Sequence, residues 1–130
     1  MLGIDTNVLV RFLVRDDEPQ FVKARGVITR RTAAEDLFVS LVVLAETEWV
    51  LRTRYHLQKP QIMKAVSGLL DSADVAFEDE AAVEEAMFFW DENRADFADC
   101  IIGAHNRRLG CRVTATFDSA AAKLPAFVAL

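Results

Sequence analysis

The sequence predicts an α/β domain built on a mostly parallel sheet of four to five strands, with helices on both faces of that sheet. Two observations carry the prediction. Short apolar runs alternate along the chain with longer segments of helical periodicity, the pattern of parallel strands joined by crossover helices. Hydrophobic residues make up 52% of the 130, and charges are spread along the chain, so there is material for a packed core and little reason for disorder. At this length a single domain over residues 1–130 is expected. It would bury roughly 65–70% of the surface that its unfolded chain exposes.

Each element follows from local signals. Leu2 to Asp5 reads as a short buried strand, with a helix from Val8 to Val14 directly after it. Pro19, preceded by Glu18, suits the first turn of a second helix that runs to about Arg31. Leu37 to Ser40 is a second strand, and Leu41 to Tyr55 has helical spacing. A helix from Pro60 to Leu70, a third strand at Val75 to Phe77 and a helix from Glu80 to Asp91 come next. Asp96 to Leu109 is a further helix with Phe97, Ile101, Ile102 and Leu109 facing the core, and Gly110 ends it. Arg112 to Thr116 forms a fourth strand, Ser119 to Lys123 a helical turn, and Phe127 to Val128 an edge strand.

Composition narrows the functional classes. Cys100 and Cys111 lack metal-ligand spacing and read as reduced thiols. No apolar run approaches the ~20 residues of a membrane helix and no segment resembles a signal peptide, so a soluble cytoplasmic protein without a membrane partner is expected. The net charge of −5 argues against a nucleic-acid partner, but less so if several acids share a metal site. Arg11, Arg15, Arg25, Arg30, Arg31, Arg52, Arg54, Arg107, Arg108 and Arg112 are then available for phosphate, which suits the planar guanidinium. There is no glycine-rich phosphate loop and no serine or cysteine nucleophile motif.

Acids stand where a core is expected. In VVLAETEWVL, Glu46 has Val42 and Val43 one turn before it and Trp49 and Val50 one turn after, so it is expected on an apolar face. Glu48 has Arg52 four residues on and is expected to be solvated. A carboxylate on a core face needs a paired cation, either an arginine or a metal. Asp96 is well placed to cap the helix that follows it, with Asp99 in the first turn. Asp5 and Asp118 each follow a strand and precede a helical segment. Each of these acids alone is open between cap and ligand. Together, Asp5, Asp99 and Asp118 belong to the carboxyl ends of parallel strands, where ligands collect in such folds, and Glu46 can lean toward that edge. All-oxygen ligation suits Mg²⁺ or Mn²⁺ rather than zinc. His56 and His105 have no partner at ligand spacing and read as surface or helix-packing residues.

The ordered set DTNVLVRFLVRDD, VVLAETEWVL, DFADCIIGAHNRRLGC and TFD resembles the PIN-domain ribonucleases, and within them the VapC-type toxins of bacterial toxin–antitoxin modules. The resemblance extends to the YHL segment at Tyr55 and AAAKLP near the end. It implies a three-layer α/β/α PIN-like domain, a homodimer, a cognate antitoxin protein, and Mg²⁺- or Mn²⁺-dependent cleavage of RNA. The family's acidic quartet falls on Asp5, Glu46, Asp99 and Asp118, as catalytic and metal-binding residues. Asp96 matches an additional acid; Thr6, Asn7 and Thr116 match supporting polar positions. A haloacid-dehalogenase-like phosphatase would need a second aspartate where Asn7 stands. The other alternative is a catalytically inactive PIN-like module that binds RNA or protein.

Overall fold

The computed structural model describes residues 1–30 and 35–130, and the side chains of residues 28–30 fall outside that description together with residues 31–34. The expected roles of Arg30 and Arg31 therefore lie outside the described residues. The chain divides into two compact units, Met1–Glu78 and Asp79–Leu130.

The first unit holds β1 (Leu2–Gly3), α1 (Thr6–Leu13), α2 (Glu18–Arg30), β2 (Leu37–Val39), α3 (Leu41–Thr53), α4 (Lys59–Asp71) and β3 (Val75–Phe77). Its sheet has the order β1-β2-β3 and is parallel throughout, with Leu2 opposite Leu37 and Val39 opposite Phe77. Parallel neighbours need crossovers, which the two helix pairs supply. Within the unit α1 packs on α2 and α3, and α3 on α4. Leu9, Val39, Leu44, Leu51 and Ile62 are its most buried large side chains. The helix starts are written in polar residues: Ser40 Oγ accepts the Val43 N–H at 3.2 Å, and the Gln58 N–H donates to Gln61 Oε1 at 2.8 Å.

The second unit holds α5 (Glu80–Glu92), α6 (Phe97–Arg108), β4 (Thr114–Thr116), a 3₁₀ turn (Ala121–Lys123) and β5 (Phe127–Ala129). β4 and β5 pair in parallel, Thr114 opposite Phe127. The α/β class and the parallel pairing expected from the sequence hold, with five strands among the described residues hydrogen-bonded as three and two. α5 packs along α6, and the Trp90 and Phe97 rings lie 4.8 Å apart. Gly103 lets α6 approach β5 closely, since a Cβ there would stand 2.5 Å from Phe127 Cε2. The end of α6 is a Schellman turn: the Gly110 N–H donates to Arg107 O and the Cys111 N–H to Asn106 O, both at 3.0 Å, with Gly110 at φ 101°.

Two expected core residues of α6 are exposed. Phe97, Cys100, Ile101 and Ala104 form the buried stripe, at spacings of three and four, and Ile102 and Leu109 fall off it. No disulfide joins Cys100 to Cys111. Among the described residues no helix is long and apolar enough to cross a membrane.

Candidate functional site

In the first unit Asp5 stands between β1 and α1. Its backbone is extended (φ −90°, ψ 176°) and Oδ1 accepts the Val8 N–H at 3.0 Å, so α1 begins at Thr6, two residues earlier than the apolar pattern suggests. The second oxygen of Asp5 has no partner among the described residues. Capping and ligation are therefore compatible at this residue. Thr6 is buried, and its hydroxyl donates to Glu46 Oε1, which joins α1 to α3 beside the Asp5 carboxylate.

The glutamates of α3 reverse the expectation from sequence. Glu46 is exposed, whereas Glu48 is 3% exposed and accepts from Arg52 Nε at 2.8 Å. Leu41, Leu44, Thr47, Glu48 and Leu51 make the buried face, and Val42 and Trp49, read as core, are 76% and 51% exposed. The physical reason is that α3 carries apolar residues around most of its circumference, so periodicity alone does not select the buried face. Arg52 is half exposed, so its guanidinium stays in contact with water while it neutralises Glu48. The ion pair weighed for Glu46 is thus made by Glu48.

Two open cavities meet at the start of α1. One, of about 440 Å³, runs past Asp5, Thr6, Asn7 and Glu46 to Trp49 and Arg54. The other, of about 350 Å³, runs from Asp5 and Asn7 past Arg11 to Gln20 and Lys23. Glu78, which the motifs do not mark, accepts the Leu41 N–H on Oε1 at 2.9 Å and fixes the start of α3. An acid directly after a strand was its only signal.

In the second unit Asp96 occupies the position before α6 but makes no side-chain capping bond, contrary to expectation. It is exposed, and water competes well for its carboxylate. Asp99 is half-buried on the first turn. Burial, then the charges of Asp118 and Asp96, push its carboxyl above the usual range, so each of those two acids lies within electrostatic reach of Asp99. Asp118 Oδ1 accepts the Ala121 N–H at 2.8 Å, and the Asp118 N–H donates to Thr116 Oγ1 at 2.9 Å. Thr116 thereby holds the loop that carries Asp118. Among the described residues no three His, Cys, Asp or Glu side chains are placed to hold a metal ion.

Five of the ten arginines named as phosphate candidates are engaged among the described residues, Arg52 with Glu48 as above. Arg11 reaches Asp16 at 3.1 Å and the Tyr55 hydroxyl at 2.6 Å, Arg15 pairs with Glu18 at 2.5 Å, and Arg107 pairs with Glu85. Arg108 Nε and His105 Nδ1 meet Asp79 at 2.6 and 2.9 Å. Burial alone would raise the Asp79 carboxyl. The bonds from His105, the Ala82 N–H and Arg108, with the Arg108 charge, outweigh it and hold that carboxyl below the usual range. His105 is thus a packing residue, and His56 is exposed at φ 54° beyond α3.

No curated protein matches the chain. A solved structure, Mycobacterium tuberculosis VapC20, described as a sarcin–ricin loop cleaving toxin, is 20% identical, with 94% of this chain and 93% of that one covered and a TM-score of 0.47. The PIN-domain family model matches residues 3–126, nearly the whole chain, and the chain belongs to the PIN-domain family.

Proposed function

We propose that the protein is a Mg²⁺- or Mn²⁺-dependent endoribonuclease, the VapC-type toxin of a toxin–antitoxin pair. The observation that carries this reading is the Thr6 hydroxyl bonded to Glu46 beside Asp5, in an open groove of a chain that belongs to the PIN family. The family match across residues 3–126 supports reading 1–130 as one PIN domain. Asp5, Glu46, Asp99 and Asp118 are the proposed catalytic and metal-binding acids, with Asp96 as a further ligand. Their donors are all carboxylate oxygens, which fit a hard cation. The like charges around Asp99 are the kind of repulsion that a cation relieves.

When bound, the cation would supply a nucleophilic water and neutralise charge on the phosphodiester and its leaving oxygen. The chain's own part is orientation. Thr6 fixes the Glu46 carboxylate, and the Val8 N–H fixes one oxygen of Asp5. Thr116 holds the Asp118 loop, and the exposed Asn7 amide is free to bond a phosphate oxygen or an attacking water. Hydrolysis by water leaves a 5′-phosphate and a 3′-hydroxyl. The proposed setting is cytoplasmic, with RNA as substrate, a cognate antitoxin as inhibitor and a homodimer as the assembly.

The test is cleavage of single-stranded RNA with Mg²⁺ or Mn²⁺ and with chelator. Metal-dependent scission that Asp5→Asn and Glu46→Gln remove is the expected result. RNA that stays intact while still binding the chain would instead indicate an inactive PIN-like binding module.

A further inference from the structure

The two cavities at the start of α1 share Asp5 and Asn7, so a groove leads away from Asp5 on either side within the first unit. Along α3, Trp49 stands one turn beyond Glu46 and is 51% exposed, unusual for so large an apolar ring. Arg54 lies eight residues beyond Glu46, about 12 Å along the helix axis. In the other groove Lys23 projects from the exposed side of α2. Neither Arg54 nor Lys23 is held in an ion pair among the described residues, whereas Arg11 between them is taken up by Asp16 and Tyr55.

Resting on the nuclease reading above, we propose that these grooves form one track for a single RNA strand, with Trp49 as the platform for an unpaired base and Arg54 and Lys23 as phosphate contacts on opposite sides of Asp5. An exposed aromatic face between cations is what single-stranded nucleic acid requires: bases stack on rings whatever their sequence, and phosphates meet the charges. A duplex hides its base faces and is excluded by the same chemistry. A second protein copy fits the groove poorly. It would bury Asp5, Glu46, Arg54 and Lys23 with the ring, and charged residues are depleted from the centres of protein interfaces.

The test uses the full chain in chelator, so that RNA is bound and not cut, with a fluorescently labelled single-stranded uridine oligomer followed by anisotropy. Trp49→Ala should weaken binding about tenfold or more, and Trp49→Phe should retain most of it. Wild-type tryptophan fluorescence should be quenched by the oligomer, and the annealed duplex should bind weakly. Arg54→Ala and Lys23→Ala should each lower the salt dependence of binding by about one unit of slope. Unchanged binding by Trp49→Ala overturns the track, as does a loss of binding that follows conversion of a dimer to a monomer in sedimentation. Cleavage assays with metal separate the two ideas. Wild-type scission with an unaltered KM in Trp49→Ala removes only the track, whereas no scission and no binding by wild type removes the nuclease reading with it.

Discussion

Two positions separate Glu46 from Glu48, and burial divides their tasks. Glu48 sits at 3% exposure and is satisfied by Arg52. Glu48→Gln should destabilise the protein by about 1 kcal/mol, discounted because the arginine is half exposed, while Glu46→Gln should stay within about 0.5 kcal/mol of wild type. Thermal melts of both variants check this, and similar shifts would contradict it. Thr47, between them, is 2% exposed, and its hydroxyl has no hydrogen-bond partner among the described residues. Thr47→Val keeps the shape and removes the unmet polar group, so it should melt higher, by about 1 kcal/mol of stability. The Glu48–Arg52 spacing is legible in the sequence, but which of these residues is buried is not. VVLAETEWVL offers more apolar residues than one face can bury, and only the packing decides which of them are left in water.

At the scale of elements, local chemistry is a better guide. Asp5 and Gly110 mark helix ends where the chain needs an acceptor or a left-handed backbone, and the structure uses both so, whereas Ser40, expected to end a strand, instead caps α3. Gly103 carries a constraint that only tertiary packing imposes. Gly103→Ala gains up to ~1 kcal/mol of helix propensity. It also drives a methyl into the Phe127 ring, so a net loss of about 1–2 kcal/mol is expected in denaturant titration. The Asp79 network ties the start of α5 to the last turn of α6 through His105 and Arg108. Because the native Asp79 carboxyl titrates below its unfolded value, the unfolded chain binds the extra proton in the window between the two. The stabilisation is complete above the ordinary carboxylate range and is lost as pH falls through the native value. Asp79→Asn should therefore lower Tm near neutrality and flatten the acid limb of Tm against pH. A variant with the same acid limb as wild type would show that another group controls it.

Over the whole molecule, the alternation of short apolar runs and helices discloses the element order, and the five strands among the described residues pair in parallel. The candidate acids are legible because several sit where capping also wants an acid, and the structure accounts for the overlap: Asp5 and Asp118 each cap with one oxygen. Asp96 breaks that rule by standing before α6 without capping it. Exposure is the property the sequence conceals, from Glu46 to Trp49, because it depends on which faces other elements cover. The central claim, that these acids serve a divalent cation, is tested most directly by melting wild type and Asp99→Asn in chelator and in Mn²⁺. Burial and the charges of Asp118 and Asp96 disfavour the ionised Asp99, so in chelator Asp99→Asn should melt above wild type. In Mn²⁺ the order should reverse, wild type gaining about 2.7 kcal/mol at a hundredfold excess over its Kd and the variant much less. A wild-type melt that Mn²⁺ leaves unmoved, with Asp99→Asn lower in both conditions, would contradict the claim and leave these acids as helix caps and surface charges.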